Sequence, residues 1–320
     1  MVMKKVLALK HRIGVWTMHH RMLFGVASKL NLILFQYPKR QYDKKFGKLN
    51  PSLKFCVIRP LSITAGLCNV YLLALRDIIN ALNDKMLPVV DFLNYKTQYN
   101  VDFPVNGTYN AWEYYFEQPC DYTLEEVYKS RNVRLSGWTF TPPRDIVYGK
   151  ENLTKFAPIK QYIYDIADEK IKADGISNMI GLLIRGTDYT QLKPLGHAIP
   201  PTAEQAAEKL DEFLAKYGER KIFLATEDEN IYAFFKNKYG DMIYTTDKNF
   251  ITYSGSDYIV DIMNKTNTSM YQFGLDYLVK IICLSKCMCL ISSITGGTVL
   301  ARMLNEGRYV ENYNFDLGAY

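Results

Sequence analysis

Four short segments carry residue types suited to gripping a phosphorylated ligand. Arg185-Gly-Thr-Asp188 follows an apolar run over 179–184. A guanidinium offers forked donors to phosphate oxygens, so an Arg released by a strand end and followed by Gly and Thr (Thr187) is a credible phosphate clamp as well as a candidate surface ion pair. Lys193 is a second cation close behind it. Thr226-Glu-Asp-Glu229 follows another apolar run. Two readings fit it together: Thr226 caps the next helix with acids in its first turn, and a carboxylate of the loop accepts two N–H donors from guanine. Ser292-Ser-Ile-Thr-Gly-Gly-Thr298 joins a third run to a helical pattern. Its small residues let backbone N–H groups approach a pyrophosphate at a helix N-terminus, with Ser292, Ser293 and Thr295 as accompanying hydroxyls. Gly66-Leu-Cys-Asn69 occupies the equivalent place in the first half. Alone it reads as a turn and a cap; with the other three it suggests a cleft closed from both sides.

Other chemistries leave no mark. There is no Walker Gly-Lys-Ser/Thr, no Gly-x-Gly-x-x-Gly, no Gly-x-Ser-x-Gly, no His-Glu-x-x-His and no Asp-x-Asp for a divalent cation. No metal site is expected. Three of the four His lie in the first fifty residues. His197 is the one near a candidate loop, and a lone His is more often structural than catalytic. The six Cys show no zinc spacing and no paired framework, which fits free thiols in a reducing compartment.

The elements that must position these loops follow from periodicity. A strand over 53–58 leads into a helix over 70–83, whose apolar residues recur at helical spacing, and then into a strand over 86–92. Residues 93–150 are aromatic and turn-rich and resist assignment. A helix is expected within 151–174. The second half alternates: strands at 179–184, 220–226, 242–246 and 288–291, and helices from the Thr202 cap to Tyr217, over 228–238, over 273–286 and, last, over 298–305. Alternation of this kind predicts an α/β fold with a parallel, doubly wound sheet, whose ligands bind beyond the carboxyl ends of the strands.

The chain has 320 residues, 48% of them hydrophobic and 22% charged. That suits two globular domains and excludes a disordered or collagenous chain. The 25 Tyr suit either sugar stacking or large aromatic cores. Residues 1–50 hold eleven Lys/Arg against one acid (Asp43), a net +10; the rest holds 28 bases against 32 acids, a net −4. The basic character belongs to one end, so nucleic-acid binding by the whole body is disfavoured. No apolar run there reaches the roughly 20 residues of a membrane span. The expected division is a basic amphipathic leader over 1–50, an N-terminal α/β domain over 51–174 and a C-terminal α/β domain over 175–320. The protein is expected to be cytoplasmic and bacterial. Val15, Trp16, Leu23, Phe24, Val26, Leu30 and Ile33 would let the leader lie on an anionic membrane surface, or equally pack on the first domain. Co-sedimentation with anionic vesicles that is lost at high salt is the result expected of a membrane-docked leader; failure to bind at low salt excludes it.

Arg185-Gly-Thr-Asp188, Ala225-Thr-Glu-Asp228 and Ile291-Ser-Ser293, taken in order, resemble the three motifs of the GDP-fucose-dependent fucosyltransferases. This group includes alpha-1,6-, alpha-1,2- and protein O-fucosyltransferases. Gly66-Leu-Cys-Asn69 resembles their N-terminal Gly-x-Gly-Asn loop, and the likeness spans roughly residues 53–305. The resemblance implies a GT-B fold of two facing Rossmann-like domains and an inverting, metal-independent transfer from the donor substrate GDP-fucose to a glycan acceptor. That acceptor would be a bacterial cell-surface polysaccharide or its lipid-linked precursor. It implies that Arg185 neutralises the departing β-phosphate, that Asp228 reads guanine, that Ser292 and Ser293 stand on the phosphate side, and that Asn69 reaches the donor from the opposite domain. The chain departs from the pattern in three places. Leu183 replaces a common His, Gln191, Leu192 and Lys193 stand where some members carry an acid, and Ile294 replaces a Gln. Two alternatives go with this reading: a GT-B transferase for another nucleotide sugar, and a non-catalytic nucleotide- or glycan-binding protein on the same scaffold.

Overall fold

The computed structural model describes residues 40–62, 65–137, 153–186, 193, 197–246, 250 and 269–320. The leader through residue 39, together with Thr187 and Asp188, lies outside the described residues.

The first half supplies β1 (Tyr42–Lys44), β2 (Phe55–Ile58), α1 (Leu67–Asn83), β3 (Leu87–Val90), α2 (Leu124–Val127) and β4 (Val133–Leu135). Their sheet runs β1-β4-β2-β3. β2 is parallel to both β3 and β4, and β1 closes the edge antiparallel to β4. The last residues of the basic leader are thus part of this sheet. α1 buries Leu67, Val70, Tyr71, Ala74, Leu75 and Ile78, one stripe at spacings of three and four.

The second half contains α3 (Gln161–Asp174), β5 (Ile180–Leu183), α4 (Ala203–Tyr217), β6 (Ile222–Ala225), α5 (Glu229–Tyr239), β7 (Ile243–Tyr244), α6 (Met270–Ser285), β8 (Cys289–Ser293), α7 (Gly296–Asn305) and β9 (Glu311–Phe315). Thr202 caps α4 as expected, in a reciprocal box with Gln205. α3 ends on Gly175 at φ 68, a left-handed turn that glycine adopts without a Cβ clash. All five strands are parallel, in the order β7-β6-β5-β8-β9. The chain winds outward from β5 through β6 to β7, then returns to lay β8 on the other side of β5. The topological switch therefore falls between β5 and β8, where an open α/β sheet forms its ligand crevice.

Side chains of β5 alternate between two cores. Ile180, Leu182 and Ile184 pack with Ala206, Leu210 and Phe213 of α4 and with Phe235 of α5. Leu183 faces the opposite core, with Leu278, Ile282 and Leu300 of α6 and α7. That second core runs without a break into the first half, through Tyr71, Leu75 and Ile78 of α1 and through Trp112, Tyr115 and Phe116. A third, smaller cluster of Phe55, Val57, Val89, Val133 and Leu135 covers the far face of the first sheet.

Two features extend the expected elements. The strand β9 follows the helix read as last, and it pairs along the whole of β8. Among the described residues of the aromatic stretch, Trp112, Tyr114 and Tyr115 are fully buried and belong to a core, while Phe103 and Tyr109 are half exposed. Large rings there fill the space between α1 and α6 that short apolar side chains would leave open.

Candidate functional site

Leu183 of β5 stands in register with Ala225 of β6 on one side and Ser292 of β8 on the other. Arg185, Glu227 and Ile294 are each two residues beyond that row, so the three loops leave the sheet at one level. Arg185 Nε donates to Glu227 Oε1 at 3.1 Å, and both side chains are about three-quarters buried. This ion pair holds the guanidinium by its inner nitrogen at the switch point.

Arg185 also acts on groups of both halves. Its charge acts on the Cys68 thiol of α1 and on the hydroxyls of Tyr99 and Tyr277. Burial pushes Cys68 up to about 12, with Arg185 opposing it, so this cysteine stays a neutral thiol beside the cation. Burial likewise raises Tyr277 well above the ordinary phenol range, Cys68 adding to it and Arg185 working against it. The six cysteines are free, and five of them are buried.

Asp228 is buried and is the cap of α5: its Oδ1 accepts from Asn230 N at 2.8 Å and from Ile231 N at 3.1 Å. The capping expected of Thr226 is therefore done two residues later. Thr226 instead accepts the Asp228 N–H on its own hydroxyl at 3.2 Å, which turns the chain so that Asp228 reaches the helix end. Gly186 makes room for this carboxylate, since a Cβ there would lie 2.3 Å from Asp228 Oδ2.

Thr295 caps α7 by accepting from Thr298 N at 3.2 Å, and Thr298 Oγ1 donates to the Ser293 carbonyl at 2.6 Å. Ser292 is fully buried, its hydroxyl donating to Asn314 Oδ1 of β9 at 2.8 Å. It ties two strands together, while Ile294, half exposed, is the side chain this loop presents outward. Gly297 leaves space for the Tyr277 hydroxyl, which a Cβ would meet at 2.5 Å.

The N-termini of α1 and α7 meet. A Cβ on Gly296 would lie 3.2 Å from Asn69 N. Gly66 and Asn69 are exposed beside this contact. Two helix N-termini, each with a partial positive charge, thus converge, and the Arg185 charge acts on Cys68 at one of them. Lys193 and His197 are exposed. The His197 carbonyl accepts from Tyr320 N, which joins this segment to the chain end. Thr187 and Asp188 are outside the described residues. Among the described residues no group of three His, Cys, Asp or Glu could hold a metal ion, and no helix is long and apolar enough to cross a membrane.

Glu227, Tyr99, Cys68 and Tyr277 were not among the expected site residues. A glycine pair opening a helix was the one local signal, because Gly297 implies that a bulky group, here Tyr277, sits against it.

No family model matches the sequence, and no curated protein matches it. Solved structures do match. Fucosyltransferase NodZ from Bradyrhizobium, in its selenomethionine form, aligns with a TM-score of 0.50 and 14% identity over 82% of this chain and 95% of that one. NodZ alpha-1,6-fucosyltransferase soaked with GDP-fucose gives 0.48 and 12% over 78% and 92%. POFUT1 in complex with GDP gives 0.47 and 10% over 82% and 98%. At these identities the likeness speaks to architecture. The chain has the GT-B fold of the Bradyrhizobium NodZ structure, two Rossmann-like halves with their helix N-termini brought together at one cleft.

Proposed function

We propose that this protein is an inverting, metal-independent glycosyltransferase that moves fucose from GDP-fucose to a glycan acceptor. The observation that carries the reading is Arg185, held by Glu227 at the switch point of the second sheet, where the N-termini of α1 and α7 converge. In such a transfer the acceptor oxygen attacks the anomeric carbon as the bond to the β-phosphate oxygen breaks, and GDP leaves with added negative charge. A fixed guanidinium and two helix ends are preorganised for that charge and need not reorient as it develops. In this reading Asn69 approaches from the α1 side, Ser293 and Thr295 shape the α7 turn, and Asp228 accepts N–H donors from guanine.

The alternative is a transferase for another nucleotide sugar. Its support is that Asp228 already has a structural task as the α5 cap. Asn caps about as well as Asp, so Asp228→Asn separates the two roles. Calorimetric titration with GDP, UDP and ADP, in excess chelator, is expected to show preference for GDP in the wild type. Asp228→Asn is expected to weaken GDP far more than it weakens plain pyrophosphate. Equal affinity for the three nucleotides, or loss of binding and turnover in chelator, would overturn the reading.

A further inference from the structure

A second pocket opens at the carboxyl edge of the first sheet, where β2, β3 and β4 all end. Its volume is about 230 Å³, and Arg59, Pro60, Tyr95, Lys96 and Ser136 are among its walls. This is below the roughly 300–1,000 Å³ of drug-sized sites, a scale that suits a single sugar ring.

The walls are fixed. Arg59 is only 8% exposed. Its Nε donates to the Ser136 carbonyl at 2.7 Å, its Nη2 to the Arg40 carbonyl at 3.0 Å, and its backbone N–H to Ser136 Oγ at 2.8 Å. The guanidinium lies 5.2 Å from the Tyr95 ring centre and 5.6 Å from that of Tyr42. Behind Tyr95 stands Tyr128, whose hydroxyl donates to Asp91 Oδ2 at 2.6 Å. Asp91 is fully buried and also accepts from the backbone of Leu93 and Asn94. The aromatic wall is thereby braced from the strand end.

We propose that this pocket binds an acidic sugar unit of the acceptor glycan, its ring on Tyr95 and its anionic group toward Lys96 and Arg59. Both charged side chains lining the pocket are cations, Arg59 held in place and Lys96 exposed at the rim, and an aromatic face beside them matches an apolar sugar face bearing a carboxylate or phosphate. The inference rests on the transferase reading. The pocket adjoins the donor-side loop: Gln98, two residues past Lys96, donates from Nε2 to the Ala65 carbonyl at 2.8 Å. Leu61, another wall residue, is five residues from Gly66, a reach of at most about 18 Å.

The test titrates the full chain, by saturation-transfer NMR, with a glucuronic-acid disaccharide, a hexose phosphate and a neutral hexose disaccharide, alongside GDP. Wild type is expected to bind one or both anionic sugars at least about tenfold more tightly than the neutral one, and the tighter of the two identifies the anionic group. Lys96→Glu, at an exposed position that the fold does not need, is expected to weaken that sugar about tenfold and leave GDP affinity unchanged. Tyr95→Leu is expected to weaken all three sugars. Equal binding of neutral and anionic sugars, no binding of any, or an indifferent Lys96→Glu would overturn the proposal. A wild type that binds the anionic sugar but not GDP would instead overturn the donor assignment.

Discussion

Arg185→Ala is expected to slow fucose transfer at least about 10²-fold, the scale of removing one preorganised donor from a developing anion. Under the proposed reading the two helix ends remain in the variant, but Glu227 is left beside the phosphate without the cation that balances it. Arg185→Lys is expected to recover little, since an ammonium cannot bond Glu227 and present a fork to phosphate together. Glu227→Ala is expected to do less harm and to lower kcat more than it raises KM for the donor, because it frees the guanidinium without removing it. Single-turnover rates with saturating donor check both. Near-normal turnover in Arg185→Ala would remove Arg185 from the reaction.

Gly186→Ala is expected to damage stability and nucleotide binding together. The new methyl would lie 2.3 Å from Asp228 Oδ2 and 2.7 Å from Ile231 Cδ1. Asp228 cannot swing aside cheaply, because two backbone N–H groups of α5 hold its other oxygen. Overpacking costs about 1–3 kcal/mol, and losing the cap costs a further 0.5–2 kcal/mol or so. A fall in Tm of several degrees is therefore expected, with weaker GDP binding in calorimetry. An unchanged Tm would mean that Asp228 relocates freely and that its cap is dispensable.

Much of the second half was legible because its strands are short apolar runs followed by strong helix starts. Thr202 and the 222–225 run are signals that tertiary context does not overrule. β9 escaped because Glu-Asn-Tyr-Asn-Phe is polar and only half buried, as suits the edge of a sheet. The cap of α5 was misplaced by two residues because Thr and Asp are both good caps, and only the turn made by the Thr226 hydroxyl decides between them. Glu227 was hidden for another reason. Its partnership with Arg185 follows from the register of Leu183 with Ala225, a relation between strands that no local spacing encodes. The same holds for the second pocket: Arg59, Tyr95 and Ser136 come from three strand ends far apart in the chain.

The core that holds Leu183 and Leu300 is continuous with the one that holds Tyr71 and Trp112. Its consequence is mechanical. The two halves cannot separate as rigid shells on a solvated hinge, since parting them would expose the buried rings of both. Under the proposed reading, opening for substrate exchange falls to the loops at the rim, and the nucleotide's binding energy would be shared with the first sheet's folding free energy. On that reading a change deep in α1 would loosen the donor without touching it, and a bound donor would resist melting of strands it never contacts.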